Sequence, residues 1–300
     1  MTTRKVVIGI LMVVIIGVLA SCTVNTSYDG TRNIIEAAAT VAKASEAGVV
    51  IVDARSPEEY AKGHMSRAIS LTPGQLSIDT PVPAMLAPRE QVERVLSEKG
   101  IQPSDTVIIY DDNKGVSAGR VWWTLKVYGH EKVLLVNGGA SALVQAGAQL
   151  SAEPFALPAS TYTAKDADLS LIASYEDVKK ISENPTDGVV LLDVRSDAEF
   201  AEGFIPTAIH RPHTKNLYKD GTFMSARDIR LFYQDLGIRL EDEIVLYCKS
   251  SYRATQAAAL LEEAGFTKVR IYDGAWLEWE KLESPSAPTT PVVPSKSDGS

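Results

Sequence analysis

The stretch that decides the fold is EIVLYCKSSYRATQAAALLEEAG, which spans residues 243–265. Its first part, residues 244–247, is a short apolar run of the kind that forms a buried strand. Residues 252–264 are rich in Ala and Leu and are followed by Gly265, a frequent helix stop. The sequence therefore predicts a strand, a tight loop and a helix, with Cys248 at the point where the strand ends.

The loop that begins at Cys248 is expected to attract an anion. The first backbone N–H groups of a helix have no helical acceptors, and the helix dipole adds positive potential at the same end. The side chains of Lys249 and Arg253 add further positive charge. Such surroundings favour a thiolate, so we predict that Cys248 is a nucleophile. The alternative is an inert cysteine buried at a strand end.

The pattern occurs twice in the chain, which indicates an internal repeat. Three pairs of segments match: VVIVDARS (49–56) with VVLLDVRS (189–196), TVIIYD (106–111) with EIVLYC (243–248), and VNG (136–138) with YDG (272–274). Strands that alternate with helices predict α/β domains with mainly parallel sheets, and ligands bind such sheets beyond the carboxyl ends of the strands. The first copy has Asp111 where the second has Cys248, so the repeat does not require a thiol there.

Composition divides the chain into two domains and four flanking or connecting segments. A chain of 300 residues that is 45% hydrophobic is long enough for two ordinary domains. Proline-containing residues without periodicity mark a linker, and a stretch rich in Pro, Ser and Thr marks a disordered tail. We predict a signal peptide (1–21), a tether (22–32), a first domain (33–150), a linker (151–170), a second domain (171–283) and a disordered tail (284–300).

The N-terminus resembles the leader of a bacterial lipoprotein. Arg4 and Lys5 precede an apolar run at 6–20, and Leu-Ala-Ser-Cys ends at Cys22. This pattern predicts a lipid on Cys22 and a protein anchored to the membrane of the bacterial cell envelope, facing the periplasm or the exterior. The alternative is an uncleaved anchor, although about 15 apolar residues are fewer than the roughly 20 of a spanning helix. With Cys22 lipidated, one cysteine remains, which excludes an internal disulfide framework.

Other classes of function find little support in the composition. A formal charge of -8 without long basic runs argues against nucleic-acid binding. His210 and His213 have no Cys or acidic partner at a metal-ligand spacing, so neither a metal site nor a cofactor is predicted. The same histidines do not form a recognisable triad order for a Cys/His hydrolase.

Residues 33–283 resemble the tandem-domain sulfurtransferases of the rhodanese family, in the form of a bacterial lipoprotein. Both halves carry Asp-x-Arg-Ser and Ala-Ile, and the second half adds GFIP (203–206), YCKSSYRA (247–254) and YDGAW (272–276). The resemblance implies two tandem rhodanese-like domains, each a mainly parallel sheet flanked by helices. It also implies that only the second domain is catalytic, because such proteins commonly carry Asp at the position of Asp111.

The activity implied by this resemblance is sulfur transfer. Cys248 would accept a sulfane sulfur from a small anionic donor, thiosulfate or 3-mercaptopyruvate, and would hold it as a persulfide. A thiophilic acceptor such as cyanide or a thiol would then remove it. Lys249 favours thiosulfate as the donor, whereas Ser250 partly favours 3-mercaptopyruvate.

The resemblance further implies that substrate-binding residues surround Cys248; they are Arg195, Lys249, Ser250, Ser251, Tyr252 and Arg253. Lys249 would face the incoming anion, or would be a solvated surface lysine. The planar guanidinium of Arg253 can bind backbone carbonyl or acidic groups, so it is suited to bracing the loop. Arg195 has the alternative of an ion pair with Asp193 or Glu199. Ser251 stands where related loops often have Gly, so we expect its backbone to avoid the left-handed conformation.

Two rival functions stay open for such a chain. Cell-cycle phosphatases resemble it in having a Cys-loop-Arg site, but five residues separate their Cys from their Arg. Here four residues separate Cys248 from Arg253, which favours a sulfur atom over a tetrahedral phosphate. The other rival is a non-catalytic binding or sensor module of the same fold.

Overall fold

The computed structural model describes residue 28, residue 30 and residues 32–283. The predicted leader (1–21), the lipidation site Cys22, most of the predicted tether and the predicted tail (284–300) lie outside the described residues. Within the described part of the chain, no helix combines the length and the apolar character needed to cross a membrane.

The first domain alternates strands and helices as expected. Its elements are β1 (Ile34–Ile35), α1 (Ala37–Lys43), β2 (Val49–Asp53), α2 (Pro57–Lys62), β3 (His64–Met65), β4 (Ile69–Ser70), β5 (Ser77–Ile78), β6 (Met85–Leu86), α3 (Arg89–Glu98), β7 (Thr106–Tyr110), α4 (Val116–Val127), β8 (Val133–Val136), α5 (Gly139–Gln145) and β9 (Leu150–Ser151). A short 3₁₀ turn, Pro73–Leu76, precedes β5.

The second domain repeats the main elements of the first. Its elements are β10 (Ile172–Ala173), α6 (Tyr175–Glu183), β11 (Val189–Asp193), α7 (Asp197–Glu202), β12 (Ile209–His210), α8 (Ala226–Asp235), β13 (Glu243–Tyr247), α9 (Tyr252–Glu263), β14 (Lys268–Tyr272) and α10 (Ala275–Glu283). Short 3₁₀ turns occupy Leu169–Leu171 and His213–Asn216.

Each domain is built on one five-stranded parallel sheet. The strand order is β1-β8-β7-β2-β4 in the first domain and β10-β14-β13-β11-β12 in the second. The two orders are equivalent strand for strand, and every pairing within these two sheets is parallel. The predicted internal repeat and the predicted α/β class with mainly parallel sheets are thereby confirmed.

The central strands are almost wholly apolar because both faces of each sheet are covered. Along β13, Ile244 and Leu246 belong to one hydrophobic core, whereas Val245 and Tyr247 belong to another on the opposite face. The core that contains Ile244 also contains Val107 of the first domain, so it is shared by the two domains.

The linker between the domains packs along the first domain. Strand β9, at its start, pairs with β3. The backbone N–H of Phe155 donates to the hydroxyl of Tyr60 at 3.1 Å, and the buried Tyr162 has its hydroxyl 2.9 Å from Nδ1 of His130. These contacts hold the predicted linker in one path over the surface of the domain that precedes it.

The two domains meet where α4 crosses α9, the helices that follow the two equivalent loops. A Cβ added at Gly119 of α4 would lie 2.8 Å from the backbone N of Gln256 in α9, so the helix backbones are in direct contact. Hydrogen bonds accompany this crossing: Phe223 N donates to Asn137 Oδ1 at 2.7 Å, and Gln256 Nε2 donates to Lys114 O at 3.2 Å.

The helix crossing leads to a prediction for Gly119→Ala. Alanine favours an isolated helix, but its Cβ would also lie 2.9 Å from Gln256 Cα, where only backbone movement can make room. We expect a loss of about 1–3 kcal/mol in the free energy of unfolding, as for other overpacked cores, measured by urea denaturation. Gly74→Ala is the control, because its added Cβ would meet only Thr72 Oγ1, at 3.9 Å. A Gly119→Ala protein as stable as the wild type would contradict this account of the interface.

Candidate active site

Cys248 lies directly after β13, at the carboxyl end of a central strand, as the sequence predicts. Its side chain is 1% exposed, and α9 begins four residues later, at Tyr252. The start of α10 forms two backbone hydrogen bonds with the loop: Trp276 N donates to Cys248 O at 2.9 Å, and Leu277 N donates to Lys249 O at 3.2 Å. The cysteine is therefore held between the end of a strand and the beginnings of two helices.

The equivalent loop of the first domain demonstrates what this geometry can bind. Its backbone N–H groups converge on the carboxyl group of Asp111: those of Asn113 and Gly115 donate to Oδ1 at 3.1 and 2.8 Å, and that of Ala118 donates to Oδ2 at 3.0 Å. Burial raises the pKa of Asp111, while these hydrogen bonds act in the opposite direction. The strand-loop-helix junction thus supplies several converging donors, which suits it to a negatively charged atom.

The expectation for the backbone of Ser251 is wrong. Ser251 adopts the left-handed conformation, with φ +65°, and is the N-cap residue of α9. The buried hydroxyl lies 2.7 Å from Tyr272 O and 2.9 Å from Asp273 O and shares its one proton between them. These contacts offset the cost of the left-handed backbone, which is why a residue other than glycine is accommodated.

Arg253 braces the loop against α7. Its guanidinium forms a bidentate ion pair with Glu199, in which the Nη1–Oε2 distance is 2.6 Å and the Nη2–Oε1 distance is 2.7 Å. The hydrogen bond to Glu199 raises the pKa of Arg253, and the nearby Cys248 contributes in the same direction. The same bond holds the pKa of Glu199 well below its usual range, so both groups are charged at neutral pH. Glu199 was one of two partners considered for Arg195, but it pairs with Arg253.

Arg195 is in the ion pair that the sequence left as the alternative to substrate binding. Its Nη2 lies 2.6 Å from Asp193 Oδ2 and 2.6 Å from the carbonyl oxygen of Gly203, and its side chain is 2% exposed. The guanidinium carbon is 4.3 Å from the centre of the Trp276 ring and 5.6 Å from that of Tyr247. This arrangement anchors the end of β11 beside the loop.

The remaining predicted loop residues have different surroundings. Lys249 is exposed and has no ion-pair partner among residues 32–283, whereas Ser250 is half-buried. The half-buried Tyr252 turns toward the first domain: its hydroxyl is 3.4 Å from Ser77 Oγ, and the guanidinium of Arg120 lies 5.4 Å from its ring centre. One side of the site is therefore supplied by the domain that lacks the cysteine.

Arg120 and Asp273 were not anticipated as parts of the site. Arg120 is fully buried in α4, where Nη1 lies 2.6 Å from Asp273 Oδ1 and Nη2 lies 2.8 Å from Ala84 O. The carbonyl oxygen of the same Asp273 accepts from Ser251, so the first domain reaches the Cys248 loop through one residue. The only signal in the sequence was an arginine inside the apolar run VSAGRVWW.

His213 and His210 have separate environments. Burial lowers the pKa of His213 to about 4, and the positive charges of Arg253 and Lys114 act in the same direction, so this ring is neutral at pH 7. His210 stacks on Phe200 at 4.2 Å and contacts Arg195 O through Nε2. In the described part of the chain, no three His, Cys, Asp or Glu side chains are grouped to hold a metal ion.

The geometry of Ser251 leads to a prediction for two substitutions. Ser251→Ala keeps a Cβ on a left-handed residue but removes the hydroxyl, so we expect it to lower the free energy of unfolding by about 1–3 kcal/mol. Ser251→Gly also removes the hydroxyl but relieves the backbone strain, so it should be less harmful. Urea denaturation of the three proteins measures both effects. An order in which Ser251→Gly is the less stable variant would refute this explanation of the left-handed serine.

Comparison with known proteins places these features in a family. The family model described as "Rhodanese-like domain" matches residues 37–146 and 174–282. A putative thiosulfate sulfurtransferase of Mycobacterium tuberculosis is 32% identical over 240 residues, which cover 74% of this chain and 85% of that protein. The sulfur carrier protein TtuD of Thermus thermophilus is 31% identical over 247 residues, with 74% and 84% covered.

A solved structure agrees with this assignment. The 3-mercaptopyruvate sulfurtransferase SseA of Escherichia coli superposes with a TM-score of 0.74 at 26% identity, covering 82% of this chain and 99% of that one. Because the family model matches both α/β domains over most of their length, the chain belongs to the rhodanese family and consists of two tandem rhodanese-like domains.

Proposed function

We propose that the protein is a sulfurtransferase that moves a sulfane sulfur from thiosulfate to a thiophilic acceptor through a persulfide on Cys248. The observation that carries the proposal is the position of Cys248, at a junction whose first-domain counterpart gathers three backbone N–H groups around a carboxyl group. The M. tuberculosis relative, named as a thiosulfate sulfurtransferase, supports the same activity. The similarity to SseA keeps 3-mercaptopyruvate as the second candidate donor.

The reaction balances without an added oxidant or reductant. The thiolate of Cys248 attacks the outer sulfur of thiosulfate and forms a new S–S bond, while the S–S bond of thiosulfate breaks and sulfite leaves with the electron pair. A nucleophile such as cyanide then attacks the outer sulfur of the persulfide and leaves as thiocyanate. Cys248 departs as the thiolate, ready for another cycle.

The residues of the loop have different roles toward these anions. The positive end of the α9 helix dipole stabilises negative charge on the sulfur atoms. Lys249, exposed and without an ion-pair partner in the described chain, is available to attract the donor and sulfite. Arg253 is paired with Glu199, so it holds the loop in shape beside Cys248. The near-complete burial of Cys248 protects the persulfide from bulk water and restricts the donor to a small molecule.

The same contacts argue against the two rival functions. A phosphatase of this kind needs an arginine free to grip phosphate, whereas both terminal nitrogens of Arg253 are bound to Glu199. A non-catalytic module does not account for Cys248, because the equivalent Asp111 serves the fold equally well. The relatives named as sulfurtransferases also favour an enzyme.

The activity can be measured as thiocyanate formed from thiosulfate and cyanide. We expect the purified protein to turn over and Cys248→Ser to fall to the uncatalysed background, because serine does not form a persulfide. The kcat/KM values for thiosulfate and 3-mercaptopyruvate, measured on one preparation, identify the preferred donor, which we expect to be thiosulfate. A wild-type protein no faster than Cys248→Ser with either donor would exclude the proposed activity.

We also propose that the protein is a lipoprotein of the bacterial cell envelope, held to the membrane by a lipid on Cys22. The support is the Leu-Ala-Ser-Cys motif after a short apolar run. Such an anchor would place both domains outside the cytoplasm.

Lipidation can be tested by labelling cells with palmitate. We expect label on the wild type and on Cys248→Ser, but none on Cys22→Ser, which should also leave the membrane fraction. Cys248→Ser is the matched control, since it removes the other cysteine of the chain. Unchanged membrane association of Cys22→Ser would instead favour an uncleaved apolar helix.

A further inference from the structure

The first domain contains a cavity away from Cys248 that the proposed reaction does not use. Its volume is about 120 Å³. The residues that line it include Arg55, His64, Tyr110, Ala140, Val144 and Leu150. The internal repeat shows why this space exists, because the second domain supplies the same elements with one important difference.

Ala140 in the first domain is the counterpart of Trp276 in the second. The two positions are 136 residues apart, the same spacing that relates VNG (136–138) to YDG (272–274). A backbone hydrogen bond confirms the equivalence: Ala140 N donates to Asp111 O at 2.8 Å, and Trp276 N donates to Cys248 O at 2.9 Å. A methyl group therefore stands where the second domain has an indole.

Each domain has an arginine next to this position, and the two arginines make the same contacts. Arg55 Nη2 lies 2.6 Å from Asp53 Oδ2 and 2.7 Å from Gly63 O, which matches the contacts of Arg195. The guanidinium carbon of Arg55 is 5.6 Å from the ring centre of Tyr110, as Arg195 is from Tyr247.

What differs is the second aromatic partner. The Trp276 ring lies 4.3 Å from the guanidinium carbon of Arg195, whereas Ala140 offers Arg55 no ring. The two glycines whose carbonyl oxygens accept from these arginines confirm that the free space differs between the domains. A Cβ added at Gly203 would lie 3.2 Å from the Trp276 ring, but one added at Gly63 would meet nothing within 4 Å.

The walls and rim of the cavity are suited to an aromatic ring. His64 is fully buried and stacks on Tyr60 with ring centres 3.6 Å apart, which presents a flat wall. In the described part of the chain, its buried Nε2 has no hydrogen-bond partner. Because this atom is closed off from solvent, we assign recognition to the faces of the ring and of the Arg55 guanidinium. Val144 and Leu150 are 53% and 55% exposed, and together they give the cavity an apolar rim.

We propose that this cavity binds a small, uncharged planar aromatic molecule of about the size of indole, stacked on the guanidinium of Arg55 in the place that Trp276 fills in the second domain. A cation above an aromatic face is attractive, and burial of the ring against the apolar walls adds to this. The cavity is open to solvent at its apolar rim, so the ring need not lie wholly within the volume of about 120 Å³. Residues 1–27 and 284–300 contain no aromatic residue, so neither segment can supply the ring.

Indole is the probe that tests the proposal on the full-length protein. Saturation-transfer NMR of indole and thermal unfolding followed by circular dichroism report binding independently of sulfur transfer. We expect saturable binding and a higher Tm in the presence of indole. Ala140→Trp should raise Tm without ligand, because it fills the cavity, and should weaken indole binding by at least about tenfold, as expected when a stacked ring is displaced.

Two further variants keep the test decisive. Ala140→Leu fills the space with a smaller side chain, in case the tryptophan disturbs folding, and should also weaken binding. Gln145→Trp adds the same side chain at an exposed position of α5 and should leave binding unchanged. The proposal is overturned if indole does not bind saturably, or if it binds equally well to the wild type, Ala140→Trp and Ala140→Leu. It is also overturned if N-acetyl-tryptophanamide binds and indole does not, which would indicate a side chain of a partner protein.

Discussion

The close crossing of α4 and α9 is the constraint on which the rest of the structure depends. The two helices follow the two equivalent loops, and at Gly119 their backbones approach so closely that a methyl group has no room. Because each helix is fixed to its own central strand, the crossing fixes the relation between the two sheets. It also carries Arg120 across the interface to Asp273, and Asp273 in turn contacts Ser251. The domain without the cysteine is thus part of the framework around Cys248.

The internal repeat provides a comparison within one molecule, because the two domains share strand order and loop geometry but differ at a few positions. Asp111 satisfies the loop N–H groups with a carboxyl group of the protein itself, whereas Cys248 leaves its loop suited to an exogenous anion. Ala140 leaves a cavity where Trp276 covers an arginine. Each difference changes what the domain can bind without altering the sheet beneath it, since the substituted side chains lie beyond the strand ends.

Charge around Cys248 is divided between a fixed and a free group. Arg253 is bound to Glu199 at both terminal nitrogens, so its position is fixed, and its positive charge lies near Cys248. Lys249 is exposed and carries the charge that an incoming donor would meet first. This division is consistent with a site that must admit an anionic donor and then release an anionic product, because a buried, uncompensated cation would hold sulfite too tightly.

The sequence by itself determined the alternation of strands and helices, the internal repeat, the family resemblance and the place of Cys248 at a strand end. These features follow from local periodicity and from segments that repeat within one chain, so they are readable without tertiary contacts. The tertiary structure alone decided the ion pairs of Arg253 with Glu199, 54 residues apart, and of Arg120 with Asp273, 153 residues apart. It also decided the left-handed backbone of Ser251, since the carbonyl groups that offset its cost belong to a strand end more than 20 residues away. Partner choice among several charged residues, and the conformation of a single loop residue, depend on which distant elements the fold brings together, and no local pattern encodes them.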